Sequence, residues 1–176
     1  MARYSEAKDE EMRGFTIIEL LIAIVIILII AALAIPKLLH SRLAANEADA
    51  VASIKSINAA EFAYQAAYPT RGFAAQLSYM AGTQPCKPSP TSACLLDKSL
   101  ASGAKNGYSF SAIGTKQTAN GLYLDYAAGG APIAYGDTGV RLFCSTSDGV
   151  LRYSANPSHS MVPPNASQCQ TEPPLE

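Results

Sequence analysis

From Gly14 the chain reads Gly14-Phe15-Thr16-Ile17-Ile18-Glu19, and then runs unbroken through apolar residues from Leu20 to Ile35 before Pro36. Phe15 to Ile35 is about 21 residues, roughly 31 Å as a helix, enough to cross a bilayer core. One carboxylate, Glu19, sits near its start. A charge placed in a bilayer costs up to about 3 kcal/mol on insertion scales and usually marks function. The plainer reading is a signal anchor that tolerates a Glu near its end.

The chain has 176 residues, which leaves room for this helix and one small globular head. Its formal net charge is -1. The segment 1–14 is polar, without apolar periodicity, and reads as a disposable leader. Removing it takes 3 of 13 basic and 4 of 14 acidic side chains, so the remainder is neutral. No basic stripe suggests a nucleic-acid partner.

Cys86, Cys94, Cys144 and Cys169 all follow the apolar stretch, with no Cys-x-x-Cys pair and both histidines, His40 and His159, remote in sequence. That spacing gives no zinc site, and an even count in an exported head argues for two disulfides. Three pairings are open. The favoured one, Cys86–Cys94 with Cys144–Cys169, closes two local loops rich in Pro and Ser. Chain entropy assigns these loops about 2.5 and 3.5 kcal/mol.

Pro36 lacks an amide hydrogen and crowds the carbonyl of Ala32, so a kink or local unwinding is expected there. Residues 37–68 read as a continuing Ala-rich helix. Leu39, Leu43, Val51, Ile54, Ile57 and Phe62 lie along one broad side, with Lys55 and Glu61 elsewhere on the wheel. Tyr68-Pro69-Thr70-Arg71-Gly72 ends a helix about 80 Å long. Four short segments, Tyr108–Ile113, Leu122–Tyr126, Val140–Cys144 and Val150–Tyr153, predict a small antiparallel sheet for the helix to dock on. Ser147-Asp148-Gly149 is a hairpin turn between the last two. Short helices are predicted near Phe73–Met80 and Leu95–Ser102, Gly129-Gly130 reads as a turn, and the tail Thr171–Glu176 as mobile.

No nucleophile with a partner base, Gly-x-Ser-x-Gly or phosphate loop is visible, so the chain does not read as an enzyme and no cofactor is implied. Asp125, Asp137 and Asp148 lack an EF-hand pattern, and no metal site is assigned. The strongest chemical pair is Phe15 and Glu19. Cleavage before Phe15 would turn its neutral amide nitrogen into an amine with a reference pKa near 8. A cation would then stand one turn from a carboxylate that is costly to leave unpaired in a dry setting. The residues leave open whether that amine pairs with its own Glu19 or a neighbour's.

The order Gly14-Phe15, Thr16, Glu19, a helix of about 20 apolar residues and Pro36 resembles the class III signal of type IV pilins and related pseudopilins. The likeness is close from Arg13 to about Asn46, including Ile35-Pro36-Lys37-Leu38-Leu39 and Ala44-Ala45-Asn46-Glu47-Ala48. The acidic run Asp9-Glu10-Glu11 departs from the short basic leaders of the family. The resemblance implies a pilin-like α+β fold with the layout 1–14 leader, 15–36 membrane and assembly helix, 37–68 amphipathic helix, and 69–176 head with an antiparallel sheet and a disulfide-tied C-terminal region. It also implies cleavage between Gly14 and Phe15 and N-methylation of Phe15 by a prepilin peptidase. Pairing of Glu19 with a neighbouring Phe15 would follow, with growth into a homopolymer driven by an inner-membrane platform and its ATPase. The chain would span the inner membrane before assembly and lie in an extracellular pilus afterwards. Adhesion, motility and DNA uptake are roles of the family. A pseudopilin of a type II secretion system is the alternative, and a membrane-anchored or secreted binding domain a more distant one.

Ala32-Leu33-Ala34 also has the small-x-small look of a general signal-peptidase site, which would release a protein starting at Ile35. Against it, the apolar run exceeds the usual core of such signals and carries Glu19. Intact mass of the protein from its native host separates the readings: a chain beginning at Phe15 with one added methyl group is expected, and a start at Ile35 would refute it.

Overall fold

The computed structural model describes residues 15–82, 85–156 and 158–175. The leader 1–14, Gly14 included, lies outside the described residues. The chain divides into two compact units, residues 1–39 and 40–176. Helix α1, Ile17–Ala67, supplies the described helical residues of the first unit and opens the second. It is α-helical without a break through Pro36, so the unwinding expected there does not occur. One missing N–H in a helix of 51 residues leaves its other hydrogen bonds intact.

The second unit is α+β. A five-stranded antiparallel sheet in sequential order comprises β1 (Ala104–Lys105), β2 (Tyr108–Gln117), β3 (Tyr123–Pro132), β4 (Leu142–Thr146) and β5 (Arg152–Ser154). A 3-10 turn, Leu77–Met80, and α2, Lys98–Ala101, precede it, and α3, Ala166–Thr171, follows. Ala50, Ile54, Ile57 and Tyr64 of α1 share one core with Tyr108 and Phe110 of β2, Tyr126 of β3 and Phe143 of β4. Burying a side chain such as Ile54 contributes about 2 kcal/mol, so this stripe at three- and four-residue spacing holds helix to sheet.

The docked stripe differs from the expected one. Leu39 is exposed, Leu43 is only partly covered, and Phe62 is 42% exposed, reaching Phe73 and Tyr126 edge-on at 5.9 and 6.2 Å. Glu61, expected off this side, is fully buried on it, together with Glu47, Ser53 and Asn58. Most of these polar groups find partners across the interface. Asn58 donates to Ser145 Oγ at 2.9 Å and accepts from the Tyr126 hydroxyl at 3.0 Å. Glu47 accepts from the N–H groups of Val140 and Arg141 at 3.0 and 3.1 Å and meets the Arg141 guanidinium at 2.7 Å.

Gly129-Gly130 is not a turn but the middle of β3. A Cβ on Gly130 would press on the Phe110 ring at 3.0 Å, and one on Gly129 would meet the Pro164 carbonyl at 2.8 Å. The two glycines therefore thin the strand on both faces, under Phe110 on one side and the C-terminal segment on the other. That segment carries the unpredicted α3, with Asn165 as its cap: Asn165 Oδ1 accepts from Gln168 N, and Gln168 Oε1 accepts from Asn165 N. Cys169 of α3 is joined to Cys144 of β4, and Cys86 to Cys94. Residues 173–175 of the tail expected to be mobile are also paired. Tyr153 N donates to the Pro173 carbonyl at 3.1 Å and Leu175 N to the Leu151 carbonyl at 2.8 Å, so residues 173–175 lie along the edge of β5. Prolines are tolerated there because an edge needs no outward donor.

Burial alone would raise the Glu47 carboxyl, but the N–H groups of Val140 and Arg141 and the Arg141 guanidinium outweigh it and hold it below the ordinary value. The folded value lies below the unfolded one, so this contribution is present above about pH 4.5 and is lost as pH falls through the folded value. Glu47→Ala is expected to cost about 2 kcal/mol at neutral pH, because two backbone donors lose their acceptor, and to flatten the acid limb of stability. Thermal melts of the full chain in detergent between pH 3 and 7 check both.

Candidate functional site

Within the first unit the described side chains are a surface without a core. Every large hydrophobic residue from Phe15 to Leu39 is at least 45% exposed, and the segment is long and apolar enough to cross a membrane. Its one acid is Glu19, in the first turn of α1. Phe15 is 80% exposed just ahead of the helix.

Thr16 and Glu19 form a reciprocal pair. Glu19 N donates to Thr16 Oγ1 at 3.3 Å, while Glu19 Oε2 accepts from Thr16 N at 3.4 Å and from the Thr16 hydroxyl at 3.2 Å. This is a capping box, in which a hydroxyl and a carboxylate three residues apart satisfy two orphan donors at a helix start. The carboxylate also faces the positive end of the helix dipole, which favours its charge. Sequence reasoning gave Thr16 no role of its own, although Thr16-Ile17-Ile18-Glu19 carries the Thr-x-x-Glu signature. In the single chain Glu19 is thus held by its own turn and still exposed, available to a cation from outside.

The remaining assigned residues are dispersed. Pro36 lies inside α1, and the four cysteines are consumed in two disulfides within the head. Among the described residues no cluster of His, Cys, Asp and Glu could hold a metal ion. Asp125 is engaged by Lys116 at 2.7 Å and Asp148 by Arg152 at 2.6 Å, while His159 stacks on Tyr135 at 4.0 Å.

Residues 12–35 match a family model described as the prokaryotic N-terminal methylation motif. The match starts ahead of the Gly14-Phe15 bond and ends just before Pro36, enclosing the capping box and the apolar run. No curated protein and no solved structure matches the chain. The chain carries the class III signal of type IV pilins and pseudopilins, and that motif supports its place in this class of structural subunits.

Proposed function

We propose that this chain is a type IV pilin that polymerises into a surface filament. A prepilin peptidase cuts between Gly14 and Phe15, removes the leader 1–14 and methylates the new amine. Residues 15–36 hold the subunit in the inner membrane and then form the filament core, with Pro36 as a kink. Residues 37–68 carry the head, 69–176. The observation that carries this reading is the exposed apolar helix whose one acid, Glu19, stands in the methylation motif.

The physics of such a subunit is a transfer between two dry environments. Lipid shelters the apolar side chains before assembly and neighbouring helices do so afterwards, so the surface need not meet water on the way. Head-to-tail repetition of one asymmetric contact gives an open helical polymer. An amine delivered by a neighbour to Glu19 neutralises a charge that the helix N-terminus only partly stabilises, and it does so in one axial register. Partners are copies of the chain, the peptidase, and the inner-membrane platform with its ATPase. Adhesion, motility or DNA uptake would follow from machinery outside the chain. A pseudopilin of a type II secretion system uses the same motif and the same steps to build a short periplasmic pseudopilus. Micrometre-long filaments of this protein on cells distinguish the pilin.

Two variants separate capping from pairing. Glu19→Gln keeps an acceptor oxygen for the box but removes the charge. It is expected to leave an inserted, cleaved protein whose sheared filament yield falls roughly tenfold or more. Thr16→Ala removes the hydroxyl cap at about 1 kcal/mol and keeps the charge, so it should reduce filament less. Immunoblots of membrane and sheared fractions report both, and normal filament yield from Glu19→Gln would overturn the assembly role.

A further inference from the structure

Glu61 is a carboxyl group sealed in the head with no cation against it among the described residues. It is 0% exposed. Oε2 accepts the Ala74 N–H at 2.9 Å, and Oε1 has no hydrogen-bond partner. The segment it holds, residues 72–76, follows α1 and runs beside β2 and β3. Phe73 N donates to the Tyr123 carbonyl at 3.1 Å, Gly114 N donates to the Ala75 carbonyl at 3.3 Å, and Gln76 bridges to Ile113. Ala74 alone turns its N–H to the helix. The strap thus has a sheet side held by backbone bonds and a helix side held by the Glu61 carboxyl and by the Phe73 ring against Phe62.

Elsewhere on the same helix face Glu47 has Arg141 against it; among the described residues Glu61 has no such cation. The titratable groups facing it are Tyr64 from its own helix and Tyr126 from β3, and burial raises both hydroxyls. Residues 72–76 and the β2 residues Ala112 to Gly114 carry no ionisable side chain. Arg71, Tyr68 and Tyr79 act on Tyr64, and Asp125 and Asp148 act on Tyr126 while engaged by Lys116 and Arg152. Burial pushes the Glu61 carboxyl up to about 7, and the Ala74 N–H only partly opposes it.

We propose that Glu61 and residues 72–76 form a proton-operated latch. With Glu61 neutral, one oxygen accepts the Ala74 N–H and the strap stays docked, its Phe73 ring against Phe62 and Tyr126. Loss of the proton to solvent leaves an unbalanced charge in the core, and the strap lifts to let the carboxylate reach water. Opening uncovers Phe73 and frees the edge of β2 at Ile113 and Gly114.

The folded value is raised, so the latch is tightest below about pH 4.5, loosens as pH climbs to about 7, and changes little above that. Opening should increase about fifty-fold between pH 5 and 7.5. Hydrogen exchange by NMR on the full chain in detergent micelles, corrected for intrinsic rates, reads it at Ala74 and Gly114. Glu61→Gln, which keeps an acceptor without a titrating proton, should hold both amides protected at every pH. Strap protection independent of pH, or the same pH dependence in Glu61→Gln, would overturn the latch. Titration of the Glu61 side-chain carbon in the unmutated chain is the second reading: a midpoint near 7 supports the latch, and one near 4.5 refutes it even if the variant does not fold. The latch belongs to the head and stands or falls independently of filament formation.

Discussion

The large aliphatic side chains of α1 from Ile17 to Leu39 are all at least 45% exposed among the described residues. At about 25 cal/mol for each square ångström of apolar surface, a segment of this length cannot remain in water. It must be in lipid or among other helices, and the rest of the protein can be understood as a head carried on that requirement. A single acid is tolerated at its start because the first turn of a helix is where a carboxylate finds both orphan donors and a favourable dipole.

The capping box at Thr16 and Glu19 changes how that acid is to be viewed. Before any partner arrives, Glu19 is neither idle nor buried; it is bonded to its own turn. Under the proposed assembly, a neighbour's amine would meet a carboxylate already held by Thr16, with its second oxygen uncommitted by any described hydrogen bond. Orientation of this kind reduces the entropy lost on pairing.

The head solves a different problem, that of packing a helix whose inner face is partly polar. Glu47, Asn58 and Glu61 all turn toward the sheet, and each finds a hydrogen-bond partner in a different part of the chain: the N–H groups before β4, the Ser145 hydroxyl of β4 that accepts from Asn58, and the strap after the helix. Directional bonds of this type specify one docking register where a purely apolar stripe would allow sliding. Glu47 has two backbone N–H donors and the Arg141 guanidinium against it and Glu61 a single backbone N–H, so the two buried carboxyls respond to pH in opposite ways.

Much of this was legible without coordinates, where the cause is local. An unbroken apolar run, the Tyr68-Pro69 stop and the Ser147-Asp148-Gly149 hairpin each act within a few residues, so α1, the antiparallel sheet and the α+β class follow from the chain alone. The interior was not legible. Glu61 looked like a surface residue because its burial depends on Ala74 offering an N–H across a turn. Gly129-Gly130 looked like a turn because the rings and prolines above and below β3 are distant in sequence, and the tail looked loose because its partners are the free edge groups of β5. Local chemistry decided which elements form. What lies across space from each residue decided which polar groups the core would accept.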